Sequence, residues 1–140
     1  MNPLLRNILA VLAGILAGGI LNMALVQLGS SIIPPPEGMD ATNMESIKAF
    51  MPQMEVKHFI FPFLAHALGS LLGASLAARL AANDSLRLSM FVGGFFLLGG
   101  IMMVMSLPSP IWFNLLDLGL AYIPMAWLGN KIGSSPSSSL

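Results

Sequence analysis

Cysteine is absent from this sequence of 140 residues. That excludes a disulfide framework, a thiolate metal site and thiol redox chemistry. Charge is scarce too: Asp, Glu, Lys and Arg make up 9% of the chain, against about 25% in soluble domains. So few charges cannot solvate the surface of a soluble fold. They also cancel to a net charge of zero, with no cluster of Lys and Arg to meet phosphates, so no nucleic-acid partner is expected. Also missing are the triad order of a serine hydrolase, an HExxH motif, a phosphate loop and a dinucleotide fingerprint. No internal repeat marks an inverted-repeat transporter, and nothing in the chain implies a cofactor.

What is present is apolar. Hydrophobic residues make up 56% of the chain and mean hydropathy is +0.82. A membrane span needs roughly 20 mostly apolar residues to cover about 30 Å of hydrocarbon. Four stretches meet this, at approximately 8–28, 59–80, 88–107 and 111–128. The last holds Asp117 and Pro124, yet its residues still reach about 27 Å at about 1.5 Å each. A cleaved signal peptide is the alternative for the first stretch. Its apolar run exceeds the about 7 to 15 residues of a signal core, however, and no small-x-small cleavage site follows Leu28.

The basic residues orient the bundle. Arg6, Arg79, Arg87 and Lys131 all fall on one side, which the positive-inside rule makes cytoplasmic. The long loop 29–58, with Lys48 and Lys57 set against Glu37, Asp40, Glu45 and Glu55, is then external. Trp112, Phe113 and Trp127 fit aromatic belts at the ends of the fourth span. The expected fold is an all-α membrane protein, a four-transmembrane-helix bundle with both termini inside. Residues 1–132 form its single domain and 133–140 a Ser-rich, disordered cytoplasmic tail.

Within the loop, Pro34, Pro35 and Pro36 stop the first helix. Thr42 and Glu45 have capping-box spacing, and Met44, Ile47 and Met51 then share one face before Pro52. This predicts a short amphipathic helix lying on the outer leaflet, or alternatively a lid over an outward-facing cavity.

Helices in lipid approach closely where small residues recur at spacings of three or four. Gly14 and Gly18 on span one, Gly69 and Gly73 on span two, and Gly93 and Gly100 on span three are the expected packing positions. Gly94 and Gly99 add to the small face of span three. Leu64, Leu68 and Leu71 point away from that of span two.

Polar groups at membrane depth are costly and usually face the protein interior. Asn22 lies about seven residues, or about 10 Å, inside the outer end of span one. His66 and Asp117 lie at a similar depth on spans two and four. All three sit on small-residue faces, so they are expected to meet, with Ser70 and Asn114 within a turn. A carboxylate beside an imidazole orients the ring and can share a proton with it. These five are the candidate ligand- or proton-binding residues; no catalytic residue is identified. Pro62 and Pro124 would free the carbonyls of His58 and Leu120 as extra acceptors. The chain also has 11 methionines, and Met51, Met54 and His58 are weak candidates for a soft metal site, gap-filling being the commoner role.

Three functions follow in order of support. The first is a non-enzymatic helper or structural subunit of the inner membrane, binding a second copy or a larger membrane complex through its Gly-rich faces. The second is a small transporter, channel or sensor with an outward-facing site at Asn22, His66 and Asp117. The third is an intramembrane enzyme acting on lipid, for which two ionisable groups without a nucleophile are thin support.

Overall fold

Asn2 opens the first helix by accepting the Leu4 N–H at 2.8 Å, and Pro3 follows in the first turn, where its missing N–H costs nothing. In this computed structural model, which describes residues 1–134, helix α1 runs Pro3–Ile32 before the proline run ends it. It is longer than the apolar stretch 8–28. Ser30 and Ser31 near its end return their hydroxyls to the Val26 and Gln27 carbonyls, so polar residues extend the helix without orphaned donors.

The loop holds a short helix, α2, at Met44–Phe50. Its cap is Asn43 rather than Thr42: the Asn43 side-chain oxygen accepts the Glu45 and Ser46 N–H groups at 2.9 and 3.2 Å. Thr42 is engaged elsewhere, donating to Asp40 from both its backbone N–H and its hydroxyl. Ile47 and Met51 turn inward onto Phe59 and Phe113, whereas Met44 is exposed, so the expected three-residue face is only partly used. Single 3-10 turns follow at Met51–Gln53 and Val56–Phe59. His58 ties the two ends of the loop together. Its Nδ1 accepts the Glu55 N–H at 2.8 Å, which leaves Nε2–H to donate to the Pro34 carbonyl at 3.2 Å.

Helix α3 covers Ile60–Leu80 and α4 covers Ser85–Ser106. Pro62 falls in the first turn of α3 and does not break it. The turn between α3 and α4 carries Asp84 at φ 49°, a left-handed conformation tolerated by Asp. The start of α1 is latched to this turn. Arg6 Nε donates to the Leu80 carbonyl at 2.8 Å, and Asn7 exchanges hydrogen bonds with Asn83 and Ala82 at 2.7 and 2.8 Å.

The expected fourth helix is two helices, α5 at Ile111–Leu120 and α6 at Ile123–Gly133. Pro124 has no N–H for the Leu120 carbonyl, and the chain breaks at Ala121 and Tyr122. Gly133, assigned to the tail from sequence, belongs to α6 and is buried; residues 135–140 of that tail lie outside the described residues.

Central to the bundle is α3, flanked by α1, α4 and α6, while α5 touches its neighbours lightly. Glycine sets the closest approaches. A Cβ on Gly18 would stand 2.5 Å from the Gly69 carbonyl oxygen, and one on Gly69 2.9 Å from that of Gly18. Gly14 and Gly73 oppose each other in the same way one turn further toward the latched end. Gly93 lies against Ala126, and Gly100 under the Tyr122 ring. Gly94 and Gly99, by contrast, have nothing within 4 Å of a built Cβ and take no part in packing. Gly129 and Gly133, which the sequence reading missed, seat α6 on the Leu71 and Ser75 backbone of α3. Below them Asn130 donates to Ser85 and Ser89, and Ser89 donates to the Ala74 carbonyl at 2.9 Å.

Four segments, Pro3–Ile32, Val56–Leu80, Ser85–Ser106 and Ile111–Gly133, are long and apolar enough to cross a membrane. The outward faces are themselves apolar: Leu12, Leu16, Ile20, Phe91, Leu98 and Leu115 are all exposed. Water would penalise such a belt, which a bilayer accommodates.

Candidate functional site

Asp117 sits on the inner side of α5, one turn before the helix breaks, and is only 3% exposed. His66 projects toward it from α3. Its Nδ1 lies 2.8 Å from Asp117 Oδ1. The break then turns Tyr122 inward, and its hydroxyl donates to Asp117 Oδ2 at 3.1 Å while its ring stacks on the His66 imidazole at 5.5 Å between centroids. Both carboxylate oxygens therefore have a donor. With Asp117 ionised, Nδ1–H of His66 donates and Nε2 faces away from the carboxylate.

Tyr122 was absent from the sequence-derived set. The signal that would have found it is Pro124, which releases the preceding turn and lets a side chain five residues beyond Asp117 come back to it.

The other candidates surround this pair without joining it. Asn22, expected to complete the network, makes no hydrogen bond through its buried side-chain oxygen and instead packs its Cβ near Gly69. Ser70 is 1% exposed, and its hydroxyl has no partner either. That is unlike Ser30, Ser31 and Ser106, which bond to the carbonyl four residues back. Asn114 donates its amide to the Ser109 carbonyl at 3.3 Å, and its buried Oδ1 is unpartnered.

Two cavities lie beside these residues. The outer one, about 250 Å³, opens between α1, α3, α4 and α5 and is roofed by the loop through Met39, Ile47, Met51 and Met54. His66, Asn114 and Asp117 line its polar end. The inner one, about 210 Å³, is lined by Asn22, Ser70, Phe96 and Tyr122. His66, Gly100 and Met103 line both, so the imidazole stands at the boundary between them.

Met51, Met54 and His58 all line the outer cavity. Both ring nitrogens of His58 are engaged by backbone groups, however, so the loop would have to open before this imidazole could ligate a metal.

The geometry and the exposed apolar belt together define the build of a multi-pass helical membrane protein with a cavity among its helices. No family model matches the chain, and neither the curated proteins nor the solved structures include one detectably similar to it.

Proposed function

We propose that this chain is a small transporter or sensor of the inner membrane, with both termini in the cytoplasm, that admits a small molecule from the outer side to the His66–Asp117 pair. The observation carrying this reading is the set of buried, unpartnered polar atoms on Asn22, Ser70 and Asn114 around the two adjoining cavities. A purely structural network would satisfy its own members, because a buried polar atom without a partner costs about 1–3 kcal/mol. The helper or structural-subunit reading, first from sequence, loses ground for a second reason. Gly14, Gly18, Gly69 and Gly73 are consumed in packing α1 on α3 and are not free to seat a partner, which leaves only Gly94 and Gly99 of the expected small faces open to one. An enzyme reading gains nothing, since the described hydrogen bonds of the His66 ring lead to Asp117 and not to a nucleophile.

The lack of native cysteine makes the test direct. Ser70→Cys, Asn114→Cys and, as a loop control, Glu45→Cys are exposed in intact vesicles to a small, charged thiol reagent from either side. Asn114→Cys should label from the same side as Glu45→Cys, with Ser70→Cys following more slowly. If Glu45→Cys labels and both others stay inert, the polar groups form a closed structural network, and the helper reading stands instead.

A further inference from the structure

The side chains around the cavity narrow the chemistry of what it admits. Asn114 is the most informative. Because its amide nitrogen donates to the Ser109 carbonyl, its orientation is fixed, and the buried Oδ1 that remains is strictly an acceptor. Asp117, which shares the same lining, is also acceptor-only when ionised, and its two single-donor contacts leave lone pairs to spare. Asn114 and Asp117 thus leave acceptor capacity unused beside the outer cavity.

Charge points the same way. Among the described residues, His66 is the only basic side chain within ion-pair distance of Asp117. Lys57, at the mouth, has its ammonium 3.6 Å from Glu55, and the remaining Lys and Arg residues lie toward the helix ends or on the loop. A ligand carboxylate or phosphate would place a second anion beside Asp117, and Lys57, the Lys or Arg that lines the cavity, already faces Glu55. A ligand ammonium would supply both donors for the unused acceptors and a positive charge. Most of the remaining wall is apolar and soft, with Phe59, Phe61, Phe113, Met51, Met54 and Met103 on it. Aromatic faces of this kind also favour a nearby cation.

We infer that the ligand is a small lipophilic amine, bound as its ammonium ion between Asp117 and the side-chain oxygen of Asn114, with its apolar body among the Phe and Met side chains of the outer cavity. This rests on the reading of the cavity as an outward-facing ligand site.

The test uses the full chain in lipid nanodiscs and three compounds that share one apolar body: phenethylamine, phenethyl alcohol and phenylacetate. The amine should raise Tm and give saturable heat in titration calorimetry, while the alcohol and the acid do neither. Asp117→Asn, which keeps the shape of the side chain, should weaken amine binding about tenfold or more, since a hydrogen bond to a charged group contributes about 1.5–3 kcal/mol. Asn114→Leu should weaken it less, and Leu68→Ala, on the outer face, should leave it unchanged. Equal responses to amine and alcohol overturn the ammonium assignment, and so does amine binding that survives Asp117→Asn, which would mark partition into the bilayer. If none of the three compounds binds although Asn114→Cys labels from outside, the amine class is wrong and the cavity reading survives. Failure of that labelling removes both.

Discussion

Tyr122 reaches back across the break between α5 and α6 to donate to Asp117 Oδ2 at 3.1 Å, while His66 holds the other carboxylate oxygen at 2.8 Å. The two donors come from elements that meet only because the fourth span is broken. Removing one member strands the others, so the effects of substitution should not add. His66→Phe or Asp117→Leu alone should each destabilise by about 1–3 kcal/mol, and the double variant by clearly less than their sum. Tyr122→Phe keeps the ring over Gly100 and should fall at the low end of that range. Melts of all four cycle members in detergent decide the matter: additive losses would mean that His66 and Asp117 are energetically independent.

Packing of α1 on α3 depends on four glycines with carbonyls in the path of any Cβ. Gly18→Leu and Gly73→Leu should both prevent normal assembly, because the backbones must separate. Leu68→Ala removes an exposed side chain and should lower Tm far less. Gly94→Ala and Gly99→Ala, at positions with open space, should be neutral or slightly stabilising. The reverse ranking by size-exclusion profile and Tm would contradict the face assignment.

Loop protonation should show at Asp40. Thr42 donates to one oxygen of its carboxylate from the hydroxyl at 2.7 Å and the backbone at 2.9 Å, which holds the carboxyl below its ordinary value of 3.8. A folded-state value lowered in this way stabilises the turn above the ordinary value, and that contribution is lost as pH falls through the lower folded value. Thr42→Ala should move the Asp40 midpoint upward in an NMR titration. An unchanged midpoint would show that the hydroxyl does not set it.

Topology has its own check. The latch from Arg6 and Asn7 to the α3–α4 turn, and the bond from Asn130 to Ser85, gather the start of α1, that turn and the end of α6 at one end of the bundle. Together with the basic residues there, this predicts that reporters near Asp84 and after Lys131 read cytoplasmic and one near Glu45 reads external. An external reading at Asp84 would invert the proposed orientation and the side from which a ligand enters.

Much of the architecture is legible in one dimension because a bilayer imposes a one-dimensional rule: apolar length. Four apolar stretches, a proline stop and glycines at fixed spacing were enough to place the long segments and several of the glycines at which helices meet, though not which helix packs on which. The same local arithmetic put His66 and Asp117 at one depth and on small-residue faces, which is why their pairing could be anticipated. It failed where the outcome depends on competition among neighbours. Thr42 and Asn43 were both able to cap α2, and the choice fell to Asn43 because Asp40 already engages Thr42.

The sequence alone therefore determined which segments are helical and apolar and which polar groups share a depth, since hydropathy and helical periodicity are properties of the chain itself. Only the tertiary structure decided that the fourth span breaks usefully at Ala121 and Tyr122, that Gly94 and Gly99 face open space, and that Asn22 stands apart from the pair it was expected to join. Those outcomes depend on the distances between helices, which arise from backbone contact at a few glycines and from the turn that Pro124 leaves unbonded. The cavities belong to the same class: they are the space left over when α3 packs closely on α1 and α6 while α5 stays at the edge, and no residue encodes that space by itself.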